Sequence, residues 1–237
     1  SKLDAEQFEA DLRAFAGKIV SDVLPRLRSG AAPAPSPAPV RNRAASAPAA
    51  RPPAPAPRAG AEEISRDFAL LQRWLEELRV PRDATQISTL VMKIARDCFE
   101  RGALLVVKAD AMRGMGGFGA APRGEKLGLI VREVVIPLDE PSVFASVARD
   151  RKPRAGPWPD DKWARHLLGK IGRFRSSGFA LLPLLTNRET VAVLFGDNPD
   201  SGRALARLGA LEMFVNQAGI ALENAFLQRK VHAMQAP

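Results

Sequence analysis

Nine lysines and arginines lie between Arg149 and Arg175, against three acids, Asp150, Asp160 and Asp161. Trp158, Trp163 and Phe174 are interleaved with them. A guanidinium grips a phosphate through paired donors, and an aromatic ring stacks on a base. The run therefore has the residue types of a site for a nucleotide or another anionic small molecule. Arg154 follows a proline in a loop, and Arg173 ends a predicted helix. These two are the expected ligand contacts, with Trp158 as a stacking face. The plainer alternative is a solvated basic face with both tryptophans in the core.

Other reactive groups are few. Cys98 is the single cysteine, so an intramolecular disulfide and a multi-cysteine metal site are excluded. It falls on the apolar stripe of a predicted helix, where a thiol packs as a small hydrophobe. The two histidines, His166 and His232, form no spacing pattern with it. The glycine cluster Gly114-Met115-Gly116-Gly117-Phe118-Gly119 lacks the Lys-Ser/Thr ending of a phosphate loop and the spacing of a dinucleotide fingerprint. It is expected to be a turn between strands. No enzymatic constellation, metal or cofactor emerges, and a non-catalytic protein is the expectation.

The net charge of +9 over 237 residues is uneven. Residues 31–59 hold four arginines and no acid, with nine prolines and twelve alanines. Such a stretch cannot build a core and favours extended, polyproline-like conformations. Residues 31–60 are thus expected to be a disordered, semi-rigid linker reaching up to roughly 90 Å. Before it, within 1–30, Phe8, Leu12, Phe15, Ile19 and Val23 mark an amphipathic helix. Alone in water that helix is marginal. It must dock somewhere, pair with a copy of itself, offer its face to a protein partner, or end a domain lying upstream. No apolar run approaches the ~20 residues of a membrane span, and no secretory pattern opens the chain, so a cytoplasmic location is expected. The start on Ser1 reads as a piece cut from something longer, and the bias to Arg, Ala and Pro suggests a GC-rich bacterial genome.

The elements that must position these residues lie in 61–237. Ile64, Phe68, Leu71, Leu75 and Leu78 form a heptad-like seam on a first helix ending before Pro81, with Trp74 flanking it. Asp83 and Gln86 suggest a capping box for a second helix that buries Ile87, Val91, Ile94 and Cys98 and stops at Gly102. Residues 103–109 read as a central strand, 110–124 as repeated turns, and 134–138 as a strand preceded by a short helix. Pro141 opens a helix carrying Val143, Phe144 and Val147. Asp160 or Asp161 starts another with Trp163, Leu167, Leu168 and Ile171. Two apolar runs, 179–185 and 190–195, read as a β-hairpin.

The last helix, from about Leu205 to Met234, carries two apolar rows. Leu208, Leu211, Val215, Ala218, Leu222 and Ala225 form one; Met213, Ile220, Leu227 and Met234 repeat every seven residues beside it. Two rows need two partners, one a sheet and the other a helix. A parallel homodimer through the first and last helices is expected, with Ile64, Phe68, Leu71, Leu75 and Leu78 meeting their copies. Ala218 and Ala225 would let the helices approach closely.

The closing run FALLPLL…ETVAVLFGDN…LEMFVNQAGIALENA resembles the end of GAF domains, the sensory α/β modules of signalling proteins. IPLDEPSVFASVARDRKP is similar to their strand, helix and return loop. The resemblance implies an α+β fold: a central antiparallel sheet with helices on both faces, middle helices on the ligand side, first and last helices on the other. It implies a signal-transduction or regulatory module that senses a small ligand or docks a partner as an adaptor. Some GAF domains attach a bilin through a Cys beside a His; no His adjoins Cys98. The motif of cyclic-nucleotide-binding members is absent.

Overall fold

A computed structural model of the protein describes residues 58–81, 83–172, 178–187 and 189–235. The amphipathic segment 1–30, nearly all of the linker and Arg173 lie outside the described residues. The first described helix, α1, spans Arg58–Glu77 and so begins inside the segment read as linker. Helix α2 spans Ala84–Cys98, and the Asp83 side chain caps it by accepting from the Gln86 backbone N–H at 2.9 Å. It ends four residues before Gly102, which lies inside the next strand.

Six strands form one antiparallel sheet: β1 Arg101–Val107, β2 Ala111–Phe118, β3 Val135–Pro137, β4 Arg154–Gly156, β5 Phe179–Leu185 and β6 Thr190–Asp197. Their order is β3-β2-β1-β6-β5-β4, and the β5–β6 hairpin is where the apolar runs place it. Between the strands lie α3 (Leu127–Arg132), α4 (Val143–Asp150) and α5 (Lys162–Ile171); α6 (Leu208–Gln235) closes the described chain. Ser142 caps α4 and Asp161 caps α5, each through its side-chain oxygen.

Alternation along the strands divides the core in two. Leu104, Val106, Leu182 and Leu194 pack with α1, α2 and α6, while Leu105, Leu181, Val193 and Phe195 pack with α3, α4 and α5. The helix placement is the one the family resemblance implies, with the first and last helices on one face and the middle ones on the other.

Strand β2 departs from expectation. Residues 110–124 were expected to turn repeatedly, yet 112–118 pair with β1, with a bulge that leaves Met115 without a partner there, and 111–113 pair with β3. The glycines serve close packing. A Cβ on Gly114 would lie 1.7 Å from the Val131 carbonyl oxygen, and one on Gly117 would lie 3.1 Å from Val131 Cγ2. Helix α3 rests directly on the strand backbone, which no side chain at these positions would allow. A short strand, β4, also forms in the return loop around Arg154.

The α1 seam divides between two environments. Leu71 is 8% exposed and Leu75 and Leu78 pack against the core, whereas Ile64 and Phe68 are 72% and 59% exposed. Trp74, expected only to flank the seam, is the anchor: 2% exposed and edge-on to Phe214 with ring centroids 6.0 Å apart. On α6, Ala218 is fully buried and Ala225 partly so. Leu71 and Ala218 are thus taken up by the chain's own core and are withdrawn from the expected dimer seam. For Ala218 the physical reason is close packing on β5: a Cβ on the adjacent Gly219 would lie 2.0 Å from the Leu185 carbonyl oxygen. The second α6 row behaves as its spacing implies, with Met213, Ile220, Leu227 and Met234 at 59%, 47%, 52% and 76% exposure.

Candidate functional site

The described part of the basic segment, 149–172, runs from the end of α4 through β4 and α5, and at least four of its seven basic side chains have a carboxylate partner. Arg154 sits exposed on β4 with Asp150 at 3.7 Å. Lys162 pairs with Glu140 at 2.7 Å, Arg165 with Asp160 at 2.8 Å, and Lys170 with Glu133 at 3.4 Å. Trp163 donates its indole N–H to the same Glu140 carboxylate at 2.9 Å. The hydrogen bond from Lys162, followed by that from Trp163, holds the Glu140 carboxyl below its usual range.

Trp158 is half-buried. Its ring packs at 5.0 Å from that of Phe179 and 5.7 Å from that of Phe195, inside the core cluster of that face. The tryptophan expected to stack on a ligand therefore stacks on the sheet. Phe144, Leu167, Val147 and Ile136, all with zero exposure, fill the space beneath the middle helices. His166 lies edge-on to Trp163 at 5.3 Å.

A second basic region was not singled out from sequence. A groove of about 1210 Å³ runs between α2, the far half of β2, the start of α3 and the 198–207 connection. Helix α2 contributes Lys93, Arg96 and Asp97; the α3 side contributes Lys126 and Arg132; the connection contributes Arg203 and Arg207. Lys93 is held by Glu77 at 2.7 Å and Arg207 by Asp67 at 3.6 Å. The Arg96 guanidinium instead lies over the Phe118 ring, 5.1 Å from its centroid. Arg132 donates from Nε to the Met115 carbonyl at 3.3 Å, bracing α3 on the bulged strand. Six cations against Asp97 and Glu100 leave the lining net positive. These cations come from three separated stretches of chain, so no local charge count gathers them.

Glu100 organises one wall. Its carboxylate accepts from the backbone N–H groups of Asp200 and Ser201 at 2.9 and 3.1 Å. Hydrogen bonding from the Ser201 side chain, then from its backbone, holds the Glu100 carboxyl below the usual range, with Arg203 adding attraction. The Glu100 N–H donates to Asn198 Oδ1 at 3.0 Å, so the 198–203 turn is tied to the α2–β1 junction.

Cys98 lines the same groove, half-buried. Burial pushes its thiol up to about 12. It is therefore protonated near neutrality, which suits a packing residue and not a nucleophile.

The most consequential polar contact is an ion pair that sequence reasoning missed. Arg101 and Asp197, both fully buried, meet side by side where β1 pairs with β6. Arg101 Nε donates to Asp197 Oδ1 at 2.8 Å, while Nη1 donates to the carbonyls of Ile171 and Gly172 at 2.8 and 3.0 Å. One guanidinium thus neutralises a buried carboxylate and satisfies the open end of α5.

Neither a family model nor a curated protein sequence matches this chain. Solved structures do. The phycoerythrobilin-bound GAF domain of a cyanobacterial phytochrome aligns with a TM-score of 0.51 at 14% identity, over 70% of this chain and 99% of its own. The phycocyanobilin-bound GAF domain of a cyanobacterial phytochrome gives 0.51 at 13% identity, over 68% and 96%. The GAF-B domain of DevS from Mycobacterium smegmatis gives 0.46 at 23% identity, over 61% and 96%. With a six-stranded antiparallel sheet, the first and last helices on one face and three helices on the other, the described part of the chain has the GAF fold.

Proposed function

We propose that this chain is a non-catalytic regulatory module of signal transduction that works as a parallel homodimer through α1 and α6. The observation that carries this reading is the exposed apolar row Met213, Ile220, Leu227 and Met234 on α6, recurring every seven residues, together with the exposed Ile64 and Phe68 on α1. Val231 adds to it at 50% exposure. A seven-residue apolar repeat on a 28-residue helix is the pattern by which two helices of like sequence pack along their length. Exposed apolar side chains recurring along one helix mark an association site. No helix among the described residues is long and apolar enough to cross a membrane, so the row is not a membrane span.

A regulatory role with no chemistry of its own is supported by the packed α3–α5 face and by the raised Cys98 thiol. The bilins named for two structural neighbours are not part of this reading, because a protonated, half-buried Cys98 is poorly suited to covalent attachment.

Sedimentation equilibrium at tens of micromolar tests the proposal. The wild-type chain is expected to be a dimer, and Ile220→Glu with Leu227→Glu a folded monomer with an unchanged circular dichroism spectrum. A monomeric wild type, or a dimer that survives both substitutions, overturns it.

A further inference from the structure

The groove between α2, β2 and α3 is basic, partly apolar and large. Its volume of about 1210 Å³ exceeds the roughly 300–1,000 Å³ of pockets shaped for small molecules. Lys126, Arg96 and Arg203 are exposed along it, and Leu129, 55% exposed, gives it an apolar wall. An occupant that suits this lining is a stretch of polypeptide carrying several carboxylates around an apolar side chain.

This chain contains such a stretch. Residues 4–12, Asp4-Ala5-Glu6-Gln7-Phe8-Glu9-Ala10-Asp11-Leu12, hold four acids and no base, although the chain as a whole is strongly basic. At helical spacing Phe8 and Leu12 fall on one face, with Asp4 and Asp11 along one flank and Glu9 on the other. We propose that residues 4–12 dock into this groove of the same chain, Phe8 and Leu12 against Leu129, and the acids among Arg96, Lys126 and Arg203. The apolar face of the segment finds a partner there, and opposite charges set its orientation.

Reach is not limiting. Forty-five residues separate Leu12 from Arg58 at the start of α1. The Pro/Ala-rich part alone can extend far beyond a domain whose radius of gyration is roughly 16 Å at this size. A tethered segment presents itself at an effective concentration near the millimolar range, so a weak contact suffices for high occupancy. The docked segment would act as a built-in occupant, displaced only by an acidic partner that binds more strongly.

Hydrogen exchange on the full chain, read by mass spectrometry, tests this. Amides of 4–12 are expected to exchange at least about fivefold more slowly than those of 31–57, independently of protein concentration. Arg96→Glu with Arg203→Glu should abolish that protection. Adding Glu9→Lys and Asp11→Lys in the same chain should restore part of it, a rescue that a misfolded groove could not show. Lys126→Glu alone should give a smaller loss. Repeating the comparison in the Ile220→Glu, Leu227→Glu chain separates docking from dimerisation, since docking is expected to persist in the monomer. Unprotected 4–12 in the wild type, protection unchanged by the groove substitutions, or protection that fades on dilution each overturns the proposal.

Discussion

The two faces of the sheet are finished in different ways. Under α3, α4 and α5 the core is closed: Ile136, Phe144, Val147, Leu167 and Phe195 have no exposure, and ion pairs such as Lys162–Glu140 and Arg165–Asp160 rim it. Under α1, α2 and α6 an equally buried core around Val91, Leu104 and Phe214 is topped by helices that keep apolar side chains outside. The middle-helix face spends its sequence on self-sufficiency. The terminal-helix face carries more apolar residues than its own sheet can cover, which is the surplus a second copy would bury.

That contrast predicts unequal responses to substitution. The largest effect is expected from Arg101→Ala, which leaves the Asp197 carboxylate buried and unpaired and frees the end of α5. The expected loss is about 3–5 kcal/mol in denaturant unfolding, without a change in oligomeric state. Next comes Gly114→Ala. Its Cβ must push α3 off β2, because the obstacle is the Val131 backbone and not a flexible side chain. About 1–3 kcal/mol is expected, read as a lowered denaturation midpoint. On the opposite face, Ile220→Glu in a chain already monomeric should change unfolding free energy by less than about 0.5 kcal/mol, since that side chain is half exposed. If Ile220→Glu unfolded the monomer, the contrast between the faces would collapse.

The smallest effects belong to the basic rim. Arg154→Ala and Arg165→Ala should each cost under about 1 kcal/mol, because both pairs are well exposed and screened. The lowered carboxyls fix the sign of the acid response. Glu77, Glu100 and Glu140 all titrate below their ordinary value of 4.5 in the folded chain. Their stabilising contribution is complete above that value and is lost as pH falls through their folded values. Glu100→Gln should therefore be destabilising at pH 7 and progressively less so as pH falls below 4.5, as followed by thermal melts across that range.

Much of the fold was legible because it rests on local periodicity. The α6 rows, the β5–β6 hairpin, the Asp83 cap and the short helix before β3 all follow from spacing within a dozen residues. What was illegible depends on partners distant in sequence. The glycines of β2 read as turn-formers until α3, arriving about fifteen residues later, is seen lying on them. Arg101 and Asp197 are separated by 96 positions, and neither has a local signature. In the 149–175 segment the positive charge was countable, but its answers, Glu133 and Glu140, lie outside it. Trp158 could be named as aromatic, yet only the sheet shows that Phe179 and Phe195 claim its ring. The groove escaped notice for the converse reason: Arg96, Lys126 and Arg203 are unremarkable one by one and meet only in three dimensions.

Helix α6 has a mechanical consequence. Leu222 is its last fully buried side chain among the described residues, and the helix runs on to Gln235. Ala225 and Phe226 still touch the core, so the nine residues after Phe226, at 1.5 Å each, make roughly 14 Å of rod beyond it. The rod is continuous with turns clamped against β5 at Gly219, where the backbone approach leaves no room for slippage. A tilt of the clamp by a few degrees is thus carried to the far tip as a displacement of about 1–2 Å, with no joint between to absorb it. Two such rods laid side by side would convert a small change at the sheets into a change of spacing or rotation at their ends.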